Sequence, residues 1–326
     1  LKKQVLKLLK ENKEEYISGG EMCKLLNVSR TAVWKVINKL REEGYKIESV
    51  PSKGYQLIDD DQLRSDEELN ILLESYTYFD QGFFYETVDS TNNVLKRKVK
   101  DNYNKNLVAV SAHQSKGKGR LGRVWESNEG LYMSYLIRPD IMPLEAAIFT
   151  QIAAAAVVKT FETISELDIK IKWPNDIVVN GKKICGILTE LNAELNKVHY
   201  LIVGIGINLN QEVFNEDLQD IATSYKIETG KNLKIKDFLV PFIDLFHRLI
   251  KCFIEEKKYE EAIQICRKYS AIIGKKVNII NGDNKRSVTV LDLTKDGQLL
   301  VLNEKKEEEV VFFGEISIRG IDKDYI

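Results

Sequence analysis

The chain has 326 residues, enough for two or three domains and a sizeable main core. Its 48 basic and 49 acidic side chains leave a net charge of -1, which excludes a chain-wide nucleic-acid signature, so any basic function must be local. No run of about eighteen apolar residues and no signal-peptide core are seen, and Cys23, Cys185, Cys252 and Cys266 form no CxxC pair; the reading is a cytosolic protein with reduced thiols, no metal centre and no membrane partner.

In chain order, "LKKQVLKLLKEN" places Val5, Leu6, Leu8 and Leu9 on one helical face. "GGEMCKLLNVSRTAVWKVINKLREEGY" predicts a short helix, a turn at Asn27-Val28 and a longer helix capped by Ser29. "YKIESVPSKGYQLI" then reads as a hairpin, which completes the order of a winged helix-turn-helix. Up to Leu57 there are twelve Lys or Arg against seven Asp or Glu. Arg30, Thr31, Trp34 and Lys35 fall near the start of the second helix of the motif, the end that meets base edges, so DNA binding is favoured over a small protein-interaction domain.

An acidic stretch, "DDDQLRSDEELN", reads as a linker into a short helix, and the pattern then becomes mixed α/β. "LVAVSAH", "LYMSYLIRP", "IKIKWPNDIVVNGKKICGILTEL" and "HYLIVGIGINLN" are predicted strands with short connections, which argue for a largely antiparallel sheet. "LEAAIFTQIAAAAVVKTFETI" is an Ala-rich helix that can pack closely on that sheet, and two helices near 236–257 and 259–269 close the region. From Gly274 onward, alternating segments with turns at Gly282-Asp283 and Asp296-Gly297 predict a small β-barrel. The expected domains are 1–62, a connecting 63–80, 81–270 and 271–326.

The chemistry-bearing stretches begin with "KGKGRLGRVW", which lies between two predicted strands and lacks the Gly-Lys-Ser/Thr of a Walker loop. It is either a loop that folds over an anion, with backbone N–H groups and guanidinium forks, or a solvated basic patch. "KWPND" (Lys172 to Asp176) places a cation, an aromatic and a carboxylate around a corner. Lys183 enters a half-buried strand in "GKKICGIL", which suits anion binding, and the glycines of "GIGIN" suit close approach of a ligand or a bulge. "VDSTNN" offers hydroxyls and amides at a helix start, where an ordinary N-cap is the simpler reading. His113, His199 and His247 stand apart in sequence and receive no catalytic role.

In the order "DSTN", "GKGRLGRVW", "KWPNDI", "GKKICGIL", "GIGIN", "GEISIRG", these motifs resemble, over nearly the whole chain, the bacterial biotin protein ligases that double as repressors of biotin genes. Lys118 stands where that family usually has an arginine, keeping the charge and losing the fork. The resemblance implies an α+β multidomain fold: a winged helix-turn-helix, a mixed α/β ligase domain of the class II synthetase type, and an SH3-like barrel. It also implies a two-step reaction with biotin, ATP and Mg²⁺, and a lysine of a biotin carboxyl carrier protein as acceptor. Operator DNA and homodimerisation follow from the winged helix. By the same match, Arg120, Lys183 and Asp176 carry catalysis, Asp176 either orienting the incoming amine, taking its proton, or merely capping the corner. Biotin would meet Ser90, Thr91, Asn92, Gln114, Lys118, Gly119, Arg120, Lys183, Gly186, Gly204 and Gly206. The adenylate would meet Lys118, Arg120, Arg123, Trp125, Asn175, Lys183 and Asn208, with adenine near "FNEDLQDIATSY". The rival readings are a lipoate-type acyl ligase, a ligand-sensing regulator without catalysis, and a nonspecific nucleic-acid protein.

Overall fold

The computed structural model describes residues 1–59, 62–312, 316–320 and 325. Three helices open the chain, α1 (Lys2–Glu11), α2 (Gly19–Leu26) and α3 (Arg30–Glu42), followed by a hairpin of β1 (Lys46–Val50) and β2 (Gly54–Asp59). Ser18 and Ser29 cap α2 and α3 by accepting from the backbone N–H groups of Glu21 and Ala32, and Asn27 turns left-handed between them at φ 52°. Val5, Leu6 and Leu9 of α1 meet Val33, Ile37 and Leu40 of α3 in a core of their own. Arg30, Thr31, Trp34 and Lys35 all face solvent on α3, and Trp34 is 54% exposed.

The basic surplus of this module is not all turned outward, so part of it is not available to DNA. Lys2 pairs with Glu43 and Glu67 at 2.7 and 2.9 Å, Lys3 and Lys7 with Glu74 at 2.8 and 2.6 Å, and Lys10 with Glu68 at 2.7 Å. Glu67 and Glu68 lie on α4 (Asp66–Leu73), and Glu74 is its C-cap. The short helix expected after the linker is docked, with Ile71 packed on the winged-helix core and Leu69 and Leu73 in the central core.

Next come β3 (Gln81–Val88), α5 (Thr91–Lys100), β4 (Leu107–Gln114), β5 (Gly117–Lys118), β6 (Val124–Trp125), β7 (Leu131–Ile137), α6 (Ala146–Ile164), β8 (Ile169–Lys172), β9 (Asp176–Val179), β10 (Lys182–Glu194) and β11 (Lys197–Ile207). α7 (Tyr225–Thr229), α8 (Ile235–Glu256) and α9 (Glu260–Lys268) follow. The main sheet has the order β3-β4-β7-β11-β10-β9-β8 and is antiparallel except for the β3/β4 pair, which α5 connects as a crossover. Asn180 and Gly181 both take positive φ (50° and 77°) in the β9–β10 turn, as an Asn-Gly hairpin requires. α6, α8 and α9 pack on one side of the sheet and α5 on the other. The stretch Pro143–Ile164 is long and apolar enough to cross a membrane by composition, yet 78% of its apolar window is buried; Ala153, Ala154, Ala155 and Ala156 are wholly inside, so it is the core helix.

The last part holds β12 (Lys276–Asn281), β13 (Asn284–Leu293), β14 (Leu299–Leu302), β15 (Glu308–Val311) and β16 (Ile316–Gly320) in one antiparallel sheet of order β15-β14-β13-β12-β16. Gly314 and Glu315 of "GEISIRG" lie outside the described residues. This sheet does not bury its apolar face alone: Val277, Ile279, Val288 and Val290 belong to the same continuous core as the central domain. Trp173, buried at the β8–β9 corner, donates its indole N–H to the Gly297 carbonyl at 3.0 Å and ties the two regions together.

Gly82 on β3 shows how closely α4 is seated. A β-carbon there would lie 2.6 Å from Leu69 Cγ and 2.8 Å from Leu73 Cδ1. Gly82→Ala is expected to lift α4 from the sheet and cost about 1–3 kcal/mol of stability, read as a lower urea midpoint.

Candidate active site

The site is built from the corner between β8 and β9. Lys172 ends β8, a cis Trp173–Pro174 peptide turns the chain, and Asp176 begins β9. Across the sheet, the register of β9 against β10 shifts between Lys183 and Cys185. A bulge of this kind re-aims side chains, and Lys183 Nζ meets Asp176 Oδ1 at 2.6 Å. The phenol of Tyr325 donates to Asp176 Oδ2, and the Tyr325 carbonyl accepts from Lys172 Nζ at 2.8 Å.

Electrostatics follows from this crowding. Burial works against a charged Asp176, but Lys183 and Lys172 beside it, with hydrogen bonds from Lys183 and Tyr325, hold its carboxyl below the ordinary range. Lys172 is 2% exposed; burial first, then Arg319, with Lys183 and Arg123 against the pull of Asp176, brings its ammonium down to about 6. Burial and the neighbouring Asp176 push the Tyr325 phenol up, so it stays a donor.

The glycine-basic stretch is more ordered than a simple loop. β5 and β6 pair as a two-residue ribbon, and a single 3-10 turn, Arg120–Gly122, joins them with Leu121 at φ 57° and Gly122 at φ 71°. Arg120 Nη1 donates to Asn175 Oδ1 at 2.8 Å, and Asn175 Nδ2 donates to the Ile187 carbonyl at 2.9 Å. Lys118 Nζ reaches Asn93 Oδ1 at 3.1 Å. The ring of Trp125 lies 4.8 Å from Lys183 Nζ, a cation–π contact.

Two cavities meet at this ribbon and share Gly119, Arg120, Trp125, Asn175 and Lys183 as a common wall. The smaller, about 440 Å³, is lined by Ser90, Thr91, Asn92, Gln114, Lys118, Gly119, Arg120, Lys183, Gly186, Gly204 and Gly206, so the residues expected to hold a small acid are brought together. At its polar end Gln114 Oε1 accepts from the Thr91 N–H at 2.8 Å. The Ser134 hydroxyl donates to Asn92 Oδ1 at 2.5 Å and also contacts the Thr91 hydroxyl at 2.7 Å, and Asn92 Nδ2 donates to Glu190 at 2.8 Å. The larger cavity, about 970 Å³, holds Arg120, Arg123, Trp125, Asn175, Lys183 and Asn208 of the expected adenylate set; Lys118 lines only the smaller one. Phe214, Leu218, Ile221 and Ala222 form an apolar part of its wall. Lys183 N–H donates to the Ile221 carbonyl at 2.8 Å, which fixes that segment beside β10.

Several residues escaped the sequence reading. Ser134 and Glu190 are spaced as ordinary strand residues, although a serine inside the buried run "LYMSYLI" was a signal. Tyr325 arrives from far along the chain. Arg319 lines the larger cavity and lies 4.9 Å from the Tyr325 ring. The space over the three glycines also differs from expectation, because the protein's own side chains occupy it. A β-carbon on Gly186 would lie 2.6 Å from the Trp125 ring, one on Gly206 2.9 Å from Trp125 Nε1, and one on Gly204 2.3 Å from Asn92 Oδ1. Among the described residues, Asn208 Oδ1 is buried in these walls with no hydrogen-bond partner, an arrangement that costs about 1–3 kcal/mol until something satisfies it. Gly186→Ala is expected to displace the indole and disturb Lys183. The check is a change in tryptophan emission that disappears when Trp125→Phe is combined with it.

Arg30 and Trp34 line a separate groove between α3 and the β1–β2 hairpin, with Lys53 on its far side.

Comparison with known proteins places this geometry. Residues 84–208 match the biotin/lipoate A/B protein ligase family, and residues 2–56 match an HTH domain. The bifunctional ligase/repressor BirA of Bacillus subtilis is 37% identical over 80% of this chain and 79% of its own length. That of Escherichia coli is 26% identical over 95% of each. Among solved structures, a biotin protein ligase from Aquifex aeolicus in complex with biotin and ATP is 32% identical, with a TM-score of 0.64, over 74% of this chain and all of that one. With the winged helix, the ligase domain and the relatives in agreement, this chain belongs to the family of bifunctional biotin ligase/repressors.

Proposed function

We propose that this protein is an ATP-dependent biotin protein ligase that also represses biotin genes as a homodimer bound to operator DNA. The observation that carries the ligase reading is the shared wall: a small cavity with a polar end opens onto a larger one, and Arg120 and Lys183 stand between them. Joining two anions requires cations at their meeting point, and preorganised ones are effective because they need no reorientation during reaction.

In the first step an oxygen of biotin's carboxylate attacks the α-phosphorus of ATP. The new P–O bond gives biotinyl-5′-AMP as the bond to pyrophosphate breaks. In the second, a lysine amine of the carrier attacks the acyl carbon, the amide forms, AMP leaves, and the amine's proton departs. Mg²⁺ would enter as the phosphate complex of ATP. Among the described residues no cluster of three metal-ligating side chains exists, and the unpartnered oxygens of Asn208 and Glu126 on the cavity wall are suited to meet its hydration shell.

The unliganded ion pair has a role in this sequence. Lys183 is the largest favourable influence holding the Asp176 carboxyl low. Once an adenylate phosphate engages Lys183, Asp176 loses part of that support and its carboxyl rises toward the ordinary range. Asp176 thereby orients the incoming amine and becomes a better proton acceptor after the intermediate has formed. ATP supply and the four unpaired thiols support a cytosolic setting. The exposed α3 residues, Arg30, Thr31, Trp34 and Lys35, support DNA reading, and a palindromic site would need two such heads.

Incubation with ATP, Mg²⁺ and either biotin or lipoate, each with its matching carrier domain, tests the ligase reading. The expected result is a mass gain on the biotin carrier only; gain with lipoate alone would favour the lipoate-type reading. Lys183→Met is expected to lower biotinyl-5′-AMP formation by about 100-fold or more, measured as pyrophosphate release. Lys172 gives a further expectation. Its ammonium is depressed to about 6, so it is largely neutral at pH 7.5 in the free protein. A bound phosphate anion favours the charged form and raises that value, so ATP binding should take up about one proton. Calorimetry in buffers of different ionisation heat reads this uptake, and Lys172→Met should abolish it.

A further inference from the structure

Glu68 is 3% exposed and sits where three parts of the chain meet. Its Oε1 accepts from Lys10 Nζ of α1 at 2.7 Å and from Lys236 Nζ, in the first turn of α8, at 3.0 Å. Its Oε2 accepts from the Tyr45 hydroxyl at 3.0 Å and from the Arg64 backbone N–H at 3.1 Å. The DNA-reading module, the connector and the central domain thus converge on one buried carboxylate.

Two physical points separate this cluster from ordinary surface pairing. The winged helix and the central domain have distinct apolar cores, so nonpolar packing alone does not lock one to the other. The helix between them, α4, carries apolar residues toward both cores, and nonpolar contact of this kind is not directional. A buried carboxylate with donors from three parts of the chain is directional: rotation of the module against the core breaks its bonds to Lys10 and Tyr45 or the one to Lys236. Buried ion pairs add little net stability compared with apolar packing, and their best-attested use is to fix register.

We propose that Glu68 is a positioning residue for operator recognition, holding the reading module at one angle to the ligase core so that paired α3 helices match one half-site spacing. The proposal rests on the ligase/repressor reading. Its consequence is separable from catalysis, because Glu68 lines neither cavity of the candidate site. In a dimer, half-sites at a fixed spacing are engaged together only if both heads hold their angle; otherwise binding falls toward that of a single head.

The test uses the full chain with biotin and MgATP. Wild-type protein selects duplexes from a randomised pool, and binding is then measured to the enriched two-half-site duplex, to a single half-site, and to duplexes whose spacing is changed by one or two base pairs. Glu68→Gln and Lys236→Met are compared; the second leaves Lys10, Tyr45 and Arg64 on the carboxylate and removes its link to α8. The expected result is unchanged biotin transfer and single-half-site binding, with two-half-site binding about 100-fold weaker and little preference among spacings. Variants that keep wild-type affinity and spacing preference would overturn the proposal. So would an equal loss on the single half-site, since Glu68 would then only stabilise the module. If wild-type protein selects no duplex while still transferring biotin, the repressor reading itself fails, and the proposal with it.

Discussion

The interaction on which the site depends is the ion pair of Lys183 with Asp176 at 2.6 Å. Two strands must be brought side by side at a corner, and a bulge must turn a lysine inward, before these groups can meet. Neither charge would tolerate burial alone, because an unpaired ion in a low-dielectric site costs several kcal/mol. The pair therefore constrains the local backbone as strongly as the local backbone constrains the pair. Around it, Asn175 is clamped between Arg120 and Ile187, and the 3-10 turn of the basic ribbon is drawn onto the corner.

The same logic operates at larger scale. The central sheet and the C-terminal sheet share one core, so the larger cavity can draw walls from both without a hinge between them. The winged helix keeps its own core and reaches the rest through α4 and a belt of lysine–glutamate pairs. A catalytic unit needs atoms held to fractions of an ångström, and one continuous core supplies that rigidity. A reading head needs a defined angle and the ability to respond to ligand state, for which a helix and a set of ion pairs are suited.

Much of this was legible in the amino-acid order because it is written in local signals. Ser29 as a cap, Asn180-Gly181 as a turn and the alternating apolar residues of the strands all act over a few positions. The motifs around the corner were legible for the same reason, since each is contiguous. What was not legible depends on distance. Nothing near residue 325 says that its phenol meets Asp176, and nothing near residue 68 says that its carboxylate gathers donors from α1 and α8. A charge count has no direction: the four lysines of α1 pair with glutamates of α4 and its C-cap. The glycines of β10 and β11 were read as places where a ligand would come close; in this structure the protein's own Trp125 and Asn92 side chains lie over them.

That last difference bears on how such a site can be both stable and receptive. A pocket built for anions and a fused ring would leave cations and apolar surface poorly satisfied in the absence of ligand. Here Asp176 pairs with the cation that a phosphate would otherwise take, and Trp125 covers the glycine floor that a ring would otherwise cover. Each substitute is imperfect. Among the described residues, Asn208 Oδ1 remains without a partner, and Lys172 is held largely neutral by burial among other cations. On the proposed reading, ligand would exchange one set of contacts for a better one rather than enter an unstabilised void. The affinity it gains is the difference between the two sets, which ties binding strength to the quality of the protein's own substitutes.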